Sequence, residues 1–290
     1  MESLAIIGGS NGYRIISEAK ITFLGEKRIT TPFGKSEPIF IIQNDPIPVY
    51  YLSRHGQKGY SIAAPFVNYR ANIYALKKLG VSSIISWSGP GAIDTSYQVG
   101  DLVLPEDILD ETRYRERTFY KGSGLGFVRQ NPVFCPTIRS FLKTVMAKMN
   151  EPVREGGVYV CTDGPRLETK AEIRKFALSG ASFVGMTLAP ECFLARELEM
   201  CYHPLCYITN YAEGVVERAY KSGELFEGMN TGAETEKFKR AVSRLPDIVR
   251  AVAEHASTAG NADCVCRKSM ERYKKRGDIK NDWWEKIQDR

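Results

Sequence analysis

The chain has 290 residues, 43% of them hydrophobic and 26% charged, which is enough to bury one large α/β core or two small ones. No run approaches the ~20 apolar residues of a membrane span, and the first residues lack the basic, apolar and cleavage regions of a signal peptide, so a cytoplasmic chain with no membrane partner is expected. Residues 261–290 carry nine Lys/Arg against six Asp/Glu and supply half of the net charge of +6; with no nucleic-acid motif present, this balance favours an anionic small substrate over nucleic acid.

In chain order, short apolar runs predict buried strands at 4–8, 47–52, 83–86, 101–104, 157–160, 183–185 and 205–208. Between them lie helical patterns. The stretch 67–79 stops at Gly80 and leads into the strand at Ser83. Ile138, Phe141, Leu142, Val145, Met146 and Met149 form one apolar face ending at Asn150, and Phe238, Val242, Leu245, Ile248, Val249 and Val252 form another near the end. The strand, helix, strand order argues for a single α/β domain over 1–258, with no internal repeat. Residues 259–290 read as a charged, helical C-terminal extension in which Trp283-Trp284 is a docking anchor for this subunit or a neighbour.

The seven cysteines, at 135, 161, 192, 201, 206, 264 and 266, include no C-x-x-C pair and have few histidines near them, so no metal site is expected and reduced core thiols are the default. Cys264 and Cys266 could instead bridge to Cys201 or Cys206 if the source is a hyperthermophile, where cytoplasmic disulfides are common.

The chemistry-bearing segments each follow a predicted strand. Gly8-Gly-Ser-Asn-Gly12 lets backbone N–H groups and the Ser10 hydroxyl approach an anion, though an ordinary tight turn explains it equally well; no strong helix is predicted after it, and G-x-G-x-x-G is absent, which disfavours a dinucleotide. Arg54-His55 at a strand end pairs a fork of donors with an imidazole, a combination suited to phosphate. Ile85-Ser-Trp-Ser-Gly-Pro-Gly-Ala92 is a strand entering a Ser/Gly-rich turn. Further on come Asp163-Gly-Pro-Arg-Leu-Glu-Thr169, Val184-Gly-Met-Thr-Leu-Ala-Pro-Glu191 and Tyr207-Ile-Thr-Asn-Tyr-Ala-Glu-Gly214. Taken singly, these are a turn, a helix start and a loop.

Taken together, and with Thr31-Pro-Phe-Gly-Lys35 and Val67-Asn-Tyr-Arg-Ala-Asn72, the ordered motifs resemble those of the trimeric purine nucleoside phosphorylase and methylthioadenosine phosphorylase family, in register from about Ala5 to Glu213. The resemblance implies a mixed central sheet flanked by helices, a homotrimer, inorganic phosphate as co-substrate and no other cofactor. It also implies that Ser10, Arg54, His55, Ser88, Gly89 and Thr187 hold phosphate, and that Leu167, Glu168, Gly185, Met186, Asn210 and Ala212 hold the nucleoside.

The base edge separates the members of this family. A 6-oxopurine offers N1–H as a donor and O6 as an acceptor, and a 6-aminopurine reverses both. Adenine-directed members resemble one another in carrying Asp at the positions of Asn210 and Ala212; here Asn210 can donate to O6 or N7 while Glu168 accepts N1–H. This implies phosphorolysis of inosine, guanosine or 5′-methylthioinosine, with Asn210, Glu168 and His55 as catalytic residues. Leu167 departs from the aromatic usual at its position, Trp87-Ser-Gly-Pro90 matches the phosphate turn only in part, and Phe127 stands near where adenine-directed members place a His. The competing readings are a methylthioadenosine phosphorylase, a hydrolytic nucleosidase and, in another class, a non-catalytic purine or nucleic-acid binder using the basic tail.

Overall fold

The computed structural model describes residues 3–9, 12–59, 61–219, 222–223, 225, 229–259 and 263–288. The first third contains β1 (Ser3–Gly8), α1 (Gly12–Glu18), β2 (Gly25–Lys27), β3 (Thr30–Thr31), β4 (Gly34–Lys35), β5 (Ile39–Gln43), β6 (Val49–Ser53), α2 (Tyr69–Lys78) and β7 (Val81–Ser88). There follow β8 (Gly91–Ala92), β9 (Leu102–Leu104), β10 (Asp107–Asp110), α3 (Pro136–Lys148), β11 (Arg154–Glu155), β12 (Val158–Cys161), α4 (Lys170–Leu178), β13 (Ala181–Gly185), α5 (Glu191–Glu197) and β14 (Cys201–Tyr207). Three more helices close the chain: α6 (Gly232–Ser243), α7 (Leu245–Glu254) and α8 (Glu271–Arg276).

The main sheet runs β11-β9-β14-β7-β1-β6-β5-β2, with β14, β7, β1 and β6 parallel and β5 and β9 antiparallel to their neighbours in that core. It is therefore the mixed sheet expected. A smaller sheet, β10-β12-β13-β8, abuts it, and β8 begins three residues after β7 ends. The crossover between β7 and β8, Ser88 to Gly91, is thus where one sheet passes into the other.

β1 shows why the central strands read as unbroken apolar runs. Leu4 and Ile6 enter one buried cluster and Ala5 and Ile7 the opposite one, so both pleat faces are covered. Helices α3 and α7 cover the first face through Ile138, Leu142, Val145, Ile248, Val249 and Val252. Helices α2 and α5 cover the second through Ile73, Leu76, Leu194 and Ala195.

Three differences from the sequence reading have local causes. The predicted helix from Phe238 to Val252 is two helices, because Pro246 falls in the first turn of α7 and forces a break at Arg244. A short helix, α1, does follow the Gly8 to Gly12 turn. β5 went unpredicted because Pro38 and Pro46 flank it and mask a strand that pairs antiparallel with β6.

The C-terminal segment packs on the body rather than hanging from it. Met270, Tyr273, Trp283 and Ile287 join one core cluster, and Cys264 and Cys266 the other. Both tryptophans dock on this subunit, Trp283 6.2 Å from Tyr120 and Trp284 5.8 Å from Tyr74 between ring centroids. Glu199 fastens α8 by accepting from the Met270 backbone N–H and the Lys274 ammonium. No described helix is long and apolar enough to cross a membrane.

Candidate functional site

The parallel strands β1, β6, β7 and β14 end together, with Gly8 opposite Ser53 and Ser88 opposite Cys206. In the smaller sheet Cys161 ends opposite Gly185. The segments at Gly8, Arg54, Ser88, Asp163, Met186 and Thr209 each follow one of these carboxyl ends, the usual ligand side of an α/β sheet, whereas Thr31–Lys35 forms the β3–β4 hairpin and Val67–Asn72 opens α2.

Arg54 follows β6 and is completely buried. Its Nε and Nη2 grip Glu191 at 3.0 and 2.8 Å, Nη2 also donates to Ser86 Oγ at 2.6 Å, and Nη1 donates to the Trp87 carbonyl at 3.2 Å. Glu191 in turn accepts from Ser86 Oγ and from the Tyr202 hydroxyl. The fork expected to face phosphate therefore faces a carboxylate. Of five guanidinium protons one, on Nη1, is left for a ligand among the described residues. The pair is neutral overall, and the Glu191 charge raises the Arg54 pKa against the opposing effect of burial.

His55 is buried beside it, with Nδ1 2.8 Å from the Ile62 carbonyl. A carbonyl only accepts, so Nδ1 carries the proton in the neutral ring and Nε2 is the acceptor. Burial, and then the Arg54 charge, push its pKa down to about 4, so the ring is neutral at pH 7.

Ser88 and Thr187 bring the two sheets together: their hydroxyl oxygens lie 2.9 Å apart, and the buried Tyr159 hydroxyl lies 3.3 Å from Ser88 Oγ. Tyr159 reaches this point because residue 185 is glycine; its hydroxyl lies 2.0 Å from where a Cβ there would stand. At the other end of the row, the Tyr51 hydroxyl occupies the Cβ position of Gly8 at 1.7 Å and has no hydrogen-bond partner among the described residues. Gly89 is exposed just beyond Ser88. Ser10 lies outside the described residues.

On the far side, Glu168 is half-buried and accepts from Thr162 Oγ1 at 2.5 Å. Burial raises its pKa. The Thr162 backbone N–H is bonded to the Gly185 carbonyl, which ties Glu168 to the strand carrying Met186 and Thr187. Met186 packs against Gly164, and Leu167 lies half-exposed beside Glu168. Arg166 is spent on Glu172 at the start of α4.

The Asn210 carboxamide is oriented by its surroundings. Nδ2 donates to the Tyr211 carbonyl at 2.8 Å, which fixes which atom is nitrogen, and Oδ1 accepts from Thr209 Oγ1 at 2.6 Å. Among the described residues the second Nδ2 proton meets Met229 Sδ at 3.6 Å, a weak acceptor that a purine oxygen or nitrogen would surpass. Backbone bonds between Ala92 and both Asn210 and Ala212 hold this loop to β8, next to the Ser88 turn. Contacts thus run continuously from Arg54 through Ser88 and Thr187 to Glu168, and through β8 to Asn210.

Sequence reasoning missed several supports. Glu191 was read as a helix start and Ser86 as a strand residue, yet both lock Arg54. Arg115 was not noticed at all. It is buried and donates to the Ala189, Thr162 and Asp163 carbonyls, stitching together the loops that carry Thr187 and Glu168. The sequence gives no sign of it, since Arg115 stands in a run of charged residues from Asp110 to Arg117.

Known proteins resemble the chain over most of its length. The family model described as the phosphorylase superfamily matches residues 3–254. The chain is 40% identical over 241 residues, 81% of its length and 89% of the relative's, to the 6-oxopurine nucleoside phosphorylase of Pyrococcus furiosus. It is 41% identical over 227 residues, 78% of each chain, to a probable S-methyl-5′-thioinosine phosphorylase of Methanothermobacter thermautotrophicus. Among solved structures, a methylthioadenosine phosphorylase from an antarctic soil metagenomic library superposes with a TM-score of 0.75 at 28% identity, covering 92% of this chain and 90% of that one.

Proposed function

The chain belongs to the phosphorylase superfamily, and from that premise we propose that it cleaves 6-oxopurine nucleosides with inorganic phosphate, releasing the free base and a ribose 1-phosphate. The observation that carries this reading is the pinned Asn210 amide, which holds one N–H toward a weak sulfur acceptor while Glu168 keeps a carboxylate oxygen for N1–H.

Phosphate sits by the Ser88 and Thr187 hydroxyls, with Arg54 contributing its one remaining N–H. Because Glu191 balances the guanidinium, neutral donors carry most of the anion's binding. His55 Nε2, as an acceptor, suits a protonated oxygen of phosphate and leaves the other oxygens to the hydroxyl donors. As the C1′–N9 bond stretches, its electron pair moves onto the purine and C1′ gains oxocarbenium character; a phosphate oxygen below completes the new C1′–O bond. Asn210 stabilises the charge at N7 or O6, Glu168 orients the ring, and Met186 packs under the ribose. The reaction balances without electron transfer, so it calls for no organic cofactor.

The catalytic unit is assigned to 1–258 and the C-terminal extension to 259–290. Self-association, as a homotrimer, is proposed from the resemblance to the trimeric members of the family. Sedimentation of the purified protein tests it.

The deciding assay incubates purified protein with inosine, guanosine, 5′-methylthioinosine or 5′-methylthioadenosine, with and without phosphate, and quantifies free base. Phosphate-dependent release of hypoxanthine or guanine is expected, and the same panel ranks the 5′-hydroxyl against the 5′-methylthio group. Release of adenine alone overturns the base reading, and release without phosphate overturns phosphorolysis.

A further inference from the structure

Four cysteines from three distant stretches of chain converge at the end of β14 remote from the phosphorolysis site. Cys135 caps the N-terminus of α3, Cys201 opens β14, and Cys264 and Cys266 flank a single residue in the C-terminal segment. All four are buried, and their sulfurs lie within 4.8 Å of one another.

We propose that these four thiols bind one zinc ion as a structural tetrathiolate site that fastens the C-terminal segment to α3 and β14. Geometry favours a metal over bridges. Zinc–thiolate bonds of about 2.3 Å in a tetrahedron set the sulfurs roughly 3.8 Å apart, whereas a disulfide needs about 2.05 Å. Cys135 Sγ and Cys264 Sγ stand 3.4 Å apart, and the mutual closeness of all four is a cluster rather than two separate pairs. An all-sulfur, tetrahedral donor set selects zinc among abundant divalent ions. Binding exchanges the thiol protons for the metal and leaves a dianionic centre. The N-terminus of the thirteen-residue α3, whose partial positive charge falls at Cys135, stabilises that charge.

The ligand spacing, with no C-x-x-C pair, hid the site from the sequence, where no metal was expected. β14 runs the seven residues from Cys201 to Tyr207, which puts the cluster about 20 Å from the loop carrying Asn210. The ion therefore holds the fold and takes no part in the reaction.

The test uses the full-length protein purified without chelator and analysed for metal by plasma mass spectrometry. About one zinc per chain is expected, with all seven thiols titrating in denaturant once the metal is chelated. Cobalt exchanged into the site should show thiolate charge-transfer and tetrahedral ligand-field bands. Cys266→Ser should lose the metal and lower the thermal midpoint while leaving kcat at moderate temperature within about two-fold. If that variant does not fold, the metal and thiol counts of the wild-type protein decide alone. Protein that carries no zinc and takes up none after full reduction overturns the proposal, whether its thiols are free or bridged.

Discussion

Arg54 and Glu191 form a two-pronged ion pair at 3.0 and 2.8 Å in which both side chains are all but inaccessible to solvent. One follows a central strand and the other opens α5, so the pair joins the sheet to the helix behind the Thr187 loop. Removing either partner leaves an uncompensated buried charge, which costs about 3–5 kcal/mol. Glu191→Ala should therefore lower the urea midpoint steeply. An Arg54→Met, Glu191→Leu double variant should regain much of the stability and still turn over poorly. A single variant as stable as wild type contradicts the arrangement.

Ser88 and Thr187 meet across the junction of the two sheets, and the proposed mechanism assigns them to phosphate rather than to nucleoside. A hydrogen bond to a charged group contributes roughly 1.5–3 kcal/mol. Ser88→Ala and Thr187→Val should each raise KM for phosphate about ten-fold or more with a smaller change in KM for inosine. Equal effects on both substrates would place the pair elsewhere. Since Glu191 neutralises Arg54, KM for phosphate should also depend only weakly on ionic strength.

His55 gives a pH prediction with a definite sign. Its folded pKa of about 4 lies below the unfolded value of 6.5, because burial and then Arg54 disfavour the imidazolium. The unfolded chain binds the extra proton first, so stability is full above 6.5 and is lost as pH falls from 6.5 towards 4. Comparing urea unfolding at pH 7 and pH 5, His55→Gln should reduce the acid-induced loss by about 2 kcal/mol. The buried His203, with a pKa pushed down to about 3, adds loss of the same sign in both proteins. Glu197, raised to about 7 by burial, acts oppositely, losing stability as pH rises from 4.5 to 7. Both cancel in the comparison.

The strands were legible because both pleat faces of the central sheet are buried, which leaves apolar runs such as Leu4 to Ile7 with no alternation to misread. The residues proposed to face the ligand stand just after those runs, which is what groups them in the sequence. What pairs with what was not legible. Arg54 draws Glu191 from 137 residues away and Arg115 reaches the carbonyls of two other loops, and no local spacing encodes such partners. The same holds for the four cysteines, whose meeting depends on the C-terminal segment folding back over α3. A charged stretch rich in Lys and Arg gave little sign that its sparse apolar residues, Met270, Tyr273, Trp283 and Ile287, were core.

Asn210 and Glu168 carry the most discriminating prediction, because each is held by neighbours that do not depend on the base. The Tyr211 carbonyl and the Thr209 hydroxyl fix the amide, and Thr162 fixes the carboxylate. A 6-aminopurine would set its amino group against the Asn210 N–H and its bare N1 against the Glu168 oxygen, burying two mismatched pairs. Asn210→Asp supplies an acceptor, and Glu168→Ser removes the carboxylate that repels N1. The double variant should lower the ratio of hypoxanthine to adenine release, measured as kcat/KM for inosine against adenosine, by on the order of 100-fold or more. Glu168→Gln alone should remove the acid limb of the wild-type pH profile, which lies above the ordinary carboxylate range because burial raises the Glu168 pKa. A substrate ratio unchanged in the double variant would leave the lactam edge unread by these two side chains, and selectivity would have to reside in the loop beyond Asn210.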